Sequence, residues 1–171
     1  MKKTFSHLNA AGAARMVNVG HKPVQRRRAL AKGKLVCQPA TIRALKKRVL
    51  PKGDVLTVAQ IAGIQAAKRT AELIPLCHPL ALNHVEVNFR VHRAAIEISC
   101  TAETSAQTGV EMEALTGVSV AALALYDMCK AVDKTMRIEG VRVVEKTKET
   151  LRAVAADVSP RHLERTSKRA D

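Results

Sequence analysis

Three short stretches of the 171-residue chain carry side chains whose types and spacing could do chemistry. In the first, Asp127, Lys130 and Lys134 recur at helical spacing, so that a carboxylate and two ammoniums share one face while Val118, Ala121, Leu125, Met128 and Val132 share the opposite one. Spacing alone also fits a solvated ion pair worth a few tenths of a kcal/mol, roughly 0.3. One and two turns earlier, however, Leu123 and Val120 occupy the charged face, so the helix reads as apolar all round between Gly117 and Tyr126. A pair at the mouth of an apolar pocket is where desolvation and mutual fields tune a lysine for acid or base work.

The second stretch, Glu111-Met112-Glu113, falls in the first turn of the same helix. Carboxylates there complement the helix dipole, and they equally suit the N–H groups of a guanine-like ring. In the third, Pro75 and Pro79 bracket Leu76-Cys77-His78 and stiffen that loop. His78 beside Cys77 invites a metal assignment, but no second ligand pair at zinc spacing accompanies it, and the reading is no metal and no cofactor. Lys52, Lys68, Arg69 and the run Arg26-Arg27-Arg28 are singly ordinary surface cations; converging on one cleft they would hold a triphosphate.

The elements that must position these groups follow from periodicity. Lys34 to Gln38 reads as a strand stopped by Pro39, and Thr41 to Lys47 as a short basic helix. Asp54 is an N-cap for a helix from Val55 to about Leu73, ended by Pro75. Val85 to Val91 alternates, Ile96 to Cys100 repeats the pattern after a turn near His92, and the two form an antiparallel hairpin. A long helix from Val110 to Lys134 and a β-branched strand from Arg137 to Val144 complete the order. The fold class this implies is α+β, a ferredoxin-like antiparallel sheet with helices packed on one face. Residues 1–33 read as a basic arm, 34–146 as a single catalytic domain and 147–171 as a charged, mobile tail.

Bulk properties narrow the partners. Apolar residues make up 47% of the chain, enough for a core, and 29 Lys and Arg against 15 Asp and Glu give a net charge of +14. Such a protein attracts anions. Single-strand nucleic-acid binders stack bases on aromatic rings, and here only Phe5, Phe89 and Tyr126 are available, so a small phosphate-bearing ligand is favoured over nucleic acid. Cys37, Cys77, Cys100 and Cys129 form no C-x-x-C pair and read as reduced thiols. With no secretory signal and no uninterrupted apolar run of about 18 residues, the expectation is a cytoplasmic protein without a membrane partner.

The segments KGDVLTVAQIAGIQAAKRTAELIPLCHPL and GVEMEALTGVSVAALALYDMCKAVDK, with HLNAAG near the start, resemble the MoaC-type cyclic pyranopterin monophosphate synthases from about Phe5 to Val144. The resemblance implies an enzyme, a lyase of molybdenum cofactor biosynthesis, acting on the 3′,8-cyclised dihydro derivative of guanosine triphosphate and releasing pyrophosphate. It implies a homohexamer, a trimer of dimers, with sites where subunits meet. Carried over by position, it places the catalytic pair on Asp127 and Lys130. Substrate binding falls on Leu76, Cys77, His78, Met112 and Glu113, on the basic positions Lys52, Lys68 and Arg27, and more weakly on Glu111. The chain departs from the family in two places: Lys146-Thr147-Lys148-Glu149-Thr150 stands where KSGGKSG is common, and Asn18 stands where many relatives have aspartate. Rival readings are a basic nucleic-acid-binding module and a catalytically lost scaffold of the same fold.

Overall fold

A computed structural model of the chain describes residues 7–8, 11–47 and 53–151. The element order is β1 (Gln25–Val36), α1 (Pro39–Lys46), α2 (Val55–Lys68), α3 (Thr70–Leu73), β2 (Leu82–Val91), β3 (Ala95–Ala106), α4 (Glu111–Cys129) and β4 (Arg137–Thr150). The four strands form one sheet in the order β2-β3-β1-β4 with every neighbour antiparallel. The helices α2 and α4 cover one face, and the fold is the expected ferredoxin-like α+β sandwich.

Alternation decides which strand residues face the helices. Ala29, Ala31 and Leu35 of β1 are buried with Ile96, Ile98, Cys100 and Ala102 of β3 beneath Ala114, Val118, Ala121 and Leu125 of α4. The opposite face of the sheet is charged, with Arg28 bridging Glu103 at 3.5 Å and Glu145 at 2.7 Å, and Lys32 meeting Glu97 at 3.2 Å. Small residues let the helices sit close. A Cβ on Gly63 of α2 would lie 2.8 Å from the Gly117 carbonyl oxygen of α4, and one on Gly117 would lie 2.5 Å from Cys100 Sγ.

Several elements differ in extent from their sequence signals. The first strand begins at Gln25 rather than Lys34, because its inward residues are small alanines and its outward ones are Arg26, Arg28, Lys32 and Lys34, a mixture that reads as a polar arm. It ends at Val36, and Gln38 serves instead as the N-cap residue of α1. The helix expected from Val55 to Leu73 breaks at Arg69 into α2 and α3, while α4 ends at Cys129, short of Lys134. Val132, placed on the core face by periodicity, is therefore exposed. The last strand runs on to Thr150, pairing Arg27 with Lys148 and Arg28 with Thr147, so the stretch expected to open the tail is sheet up to that point. Residues 152–171 and Lys52 lie outside the described residues.

The core helix α4 is long and apolar enough to cross a membrane by composition. Its buried residues are spent on the sheet and on α2, which is the signature of an interior helix.

Candidate functional site

The sheet register gives the molecule two ends. Gln25, Ala106 and Thr150 meet at one, and Val36, Ala95 and Arg137 meet at the other. The helix α4 starts at the first end and finishes at the second, where Asp133 binds the backbone N–H of Gln38 just beyond β1.

At the first end, Leu76, Cys77, His78, Glu111, Met112 and Glu113 line one cavity of about 260 Å³. The proline-bracketed loop supplies three of them and the first turn of α4 the other three. The remaining wall is the N-terminal segment, which contributes Val17, Val19 and Lys22. His78 ties this wall to the loop, since its Nε2 lies 2.8 Å from the Val17 carbonyl oxygen. A carbonyl only accepts, so Nε2 carries a proton in this contact. Gln107 Nε2 donates to the Gly20 carbonyl at 3.2 Å and pins the same segment further along. Asn18 Oδ1 accepts from the Gly20 N–H at 2.9 Å, closing a turn of the Asx kind.

Glu113 is the chemically unusual member. It is only 4% exposed, and its Oε2 has no hydrogen-bond partner among the described residues. Burial, with the nearby charge of Glu111 adding to it, pushes its carboxyl above the ordinary range. The Cys77 thiol is likewise pushed up, by burial first and by the Glu113 charge second, so it is a poor thiolate. A buried acceptor without a donor costs stability, and a ligand N–H would relieve that cost.

A second cavity of about 280 Å³ adjoins the first and shares Gly109 and Glu111 with it. Its walls carry Arg27, Lys146 and Lys148 from the paired strands β1 and β4, and Arg28 lines it while its guanidinium bonds Glu103 and Glu145 on the other face of the sheet. Lys146 Nζ lies 3.2 Å from Glu111 Oε1, so one carboxylate stands between the two cavities. Arg27 is locked in place by hydrogen bonds to the Ala106 carbonyl at 3.2 Å, to Gln25 Oε1 at 2.9 Å and to the Gln107 carbonyl at 3.3 Å. Three cations, Arg27, Lys146 and Lys148, around a cleft beside a hydrogen-bonding pocket suit an oligophosphate attached to a polar ring.

Asp127 and Lys130 lie elsewhere. Lys130 Nζ is 2.7 Å from Asp127 Oδ1, and both side chains are about half exposed, at 56% and 52%. The hydrogen bond to Asp127, with the attraction between the charges, raises the Lys130 pKa. Among the described residues the apolar pocket expected around the pair is not formed: Val120 is half-buried and Leu123, one turn before Asp127, is 57% exposed. Glu111 and Asp127 are sixteen residues apart along α4, which at about 1.5 Å per residue separates them by roughly 24 Å. Lys68 sits exposed at the C-terminal end of α2 and lines neither cavity.

The structure thus unites the loop, the Glu111–Glu113 turn and Arg27 at one end and leaves the Asp127–Lys130 pair at the other. Sequence reasoning missed Val17, Val19, Lys22 and Gly109. The alternation of Met16-Val17-Asn18-Val19 was the available signal for the wall.

An antiparallel α+β sandwich with an acceptor-bearing cavity beside a cation-lined cleft has the chemistry that small anionic heterocycles require. Residues 16–149 match the sequence profile of the MoaC family, and the chain belongs to that family. It is 62% identical over 144 residues to the cyclic pyranopterin monophosphate synthase of Chloroflexus aggregans, covering 83% of this chain and 87% of that protein. The cyclic pyranopterin monophosphate synthase of Parvibaculum lavamentivorans is 54% identical over 147 residues, 85% of this chain and 92% of its own. A molybdenum cofactor biosynthesis bifunctional protein of Chlorobaculum tepidum is 52% identical over 157 residues, 92% of this chain and 50% of that longer protein.

Proposed function

We propose that this protein is a cyclic pyranopterin monophosphate synthase, a lyase that converts the 3′,8-cyclised dihydro derivative of guanosine triphosphate to cyclic pyranopterin monophosphate and pyrophosphate. The observation that carries the reading is the buried carboxyl of Glu113, whose Oε2 has no hydrogen-bond partner among the described residues, beside a cleft lined by the cations Arg27, Lys146 and Lys148. A guanine-derived ring supplies an N–H donor for Glu113 Oε2, and a triphosphate supplies the charge that Arg27, Lys146 and Lys148 oppose.

In this reading Lys130, held and polarised by Asp127, moves protons as the ring of the base opens and closes again as a pyrazine. A sugar hydroxyl attacks the innermost phosphorus, and the cations stabilise the pyrophosphate as it leaves. Lys68, which lines neither cavity of its own chain, and Lys52 join them from a second subunit. The separation of roughly 24 Å along α4 is bridged by a second subunit, whose Asp127–Lys130 pair completes the cavity. Exposed apolar side chains on both helices, Val58 and Ile61 of α2 and Leu123 of α4, are suited to such a contact. The assembly is a homohexamer, a trimer of dimers, working in the cytoplasm.

The test is conversion of the cyclised substrate by purified protein, following pyrophosphate and pterin, beside Lys130→Ala. Turnover by the unaltered protein and loss in the variant is the expected result. Absence of turnover together with absence of substrate binding would overturn the assignment.

A further inference from the structure

Among the described residues, Asp133 is the most heavily bonded buried polar group. It is 2% exposed, and its carboxylate accepts four hydrogen bonds. Oδ2 receives the Gln38 N–H at 2.8 Å and the Thr41 hydroxyl at 2.9 Å, and Oδ1 receives the Thr135 N–H at 2.9 Å and its hydroxyl at 2.7 Å. No lysine or arginine pairs with it among the described residues. All four donors are neutral, so the carboxylate serves as a knot rather than half of a salt bridge.

The knot lies where the chain leaves the proposed catalytic pair. The backbone of Lys130 caps α4 and its N–H bonds the Tyr126 carbonyl at 2.9 Å, while the N–H groups of Val132 and Asp133 both return to the Cys129 carbonyl, at 3.0 and 3.1 Å. The spacing of Asp127 and Lys130 is set by the helix itself. The direction in which that last turn points is not, because Lys130 and Val132 are exposed and helix ends fray. Asp133 fixes it by tying the turn to the junction of β1 with α1 through Gln38 and Thr41, and to the approach to β4 through Thr135.

We propose that Asp133 is a positioning residue for the reaction, holding the Asp127–Lys130 turn at the angle needed to enter a partner's cavity. The inference rests on the synthase reading for its catalytic consequence, and on hydrogen bonds alone for the anchoring. A reacting group misplaced by about 1 Å can lose on the order of a hundredfold in rate, so the effect falls on kcat. The cavity at the far end of α4 is untouched, and KM stays near its unaltered value.

Asp133→Asn keeps the shape but turns one acceptor into a donor, losing two of the four bonds. Thr135→Val removes one hydroxyl at an exposed position, and Thr135→Ser restores it. Steady-state kinetics and amide hydrogen exchange at residues 130–133 are measured for each. The expected result is a fall in kcat of roughly tenfold to a hundredfold for Asp133→Asn and about threefold to tenfold for Thr135→Val, with KM within about twofold. Thr135→Ser should match the unaltered protein, and exchange at residues 130–133 should quicken in the first two variants only. A folded Asp133→Asn with kcat within about twofold of the unaltered protein overturns the proposal. Equal losses in Thr135→Val and Thr135→Ser, or a loss confined to KM, do the same. If Asp133→Asn does not fold, the Thr135 pair decides. Lack of turnover by the unaltered protein counts against the synthase reading alone; unchanged exchange in the variants counts against the anchoring whatever that protein turns over.

Discussion

The two ends of α4 carry chemistry in opposite states of completion. At its N-terminal end, Glu113 is buried, its carboxyl is pushed up by desolvation, and the proline-bracketed loop and the N-terminal segment already enclose it. At its C-terminal end, Asp127 and Lys130 bond each other in solvent, and the contact raises the lysine's pKa rather than lowering it. One helix therefore presents an enclosed pocket at one end and an exposed ion pair, the proposed catalytic pair, at the other. The difference lies in what packs against each end: the same chain in the first case, a second copy of it in the proposed assembly.

Changes at the unfinished end should have the largest effect. Asp127→Asn should cut turnover by roughly a thousandfold, within the range of a lost acid or base, while leaving the fold and ligand binding at the cavity unchanged. Steady-state rates and calorimetric binding on one preparation check this, and equal losses in both would mean that the two ends are not separate in function. Next comes Leu123→Glu, which places a charge on the exposed apolar patch one turn before Asp127. The variant should remain folded by circular dichroism but run smaller by light scattering and lose turnover with its assembly. A folded, fully assembled and active variant would remove Leu123 from the contact.

At the finished end, Glu113→Gln should weaken ligand binding by tenfold or more, about 1.4 kcal/mol, and yet raise thermal stability at neutral pH. The sign follows from the shift. Because the folded-state pKa is raised, ionising Glu113 lowers stability as pH climbs above the ordinary glutamate value, and the variant is free of that loss. Its advantage should vanish near about pH 4 and below; a variant less stable at neutral pH would contradict the reading of Glu113 as strained.

The smallest effect concerns acid. Burial works against ionisation of Asp133, but the hydrogen bonds from Gln38, Thr135 and Thr41 outweigh it and bring its pKa down to about 2. Its contribution to stability is complete above the ordinary aspartate value of about 3.9 and is lost as pH falls from there toward about 2. Comparing melting temperatures of the unaltered protein and Asp133→Asn across that window should show the two converging.

The order of elements, the hairpin and the helix bearing Asp127 were legible because each has a clear period. The first part of β1 was not, since Ala29 and Ala31 fill the core side while arginines and lysines fill the other, leaving a weak alternation. Arg69 hides the break between α2 and α3 because nothing in its type opposes a helix. Of the site, the loop and the Glu111–Glu113 turn stand out by residue type alone. Their union in one cavity depends on the antiparallel run of α4 over the sheet, which periodicity does not encode. The exposure of Leu123 runs against its sequence signal for a physical reason: an apolar residue on a helix signals burial but not which chain provides it.

Whether one site is assembled from opposite ends of α4 on two subunits can be decided by subunit complementation. Asp127→Asn and His78→Ala proteins, each inactive alone, would be co-expressed in equal amounts and assayed as mixed assemblies. Sites that draw the cavity from one variant and the Lys130 turn from the other should be intact, restoring about one quarter of the unaltered activity under random assembly. Mixed assemblies as inactive as their parents would place both groups in the same subunit's site and contradict a site shared between two chains.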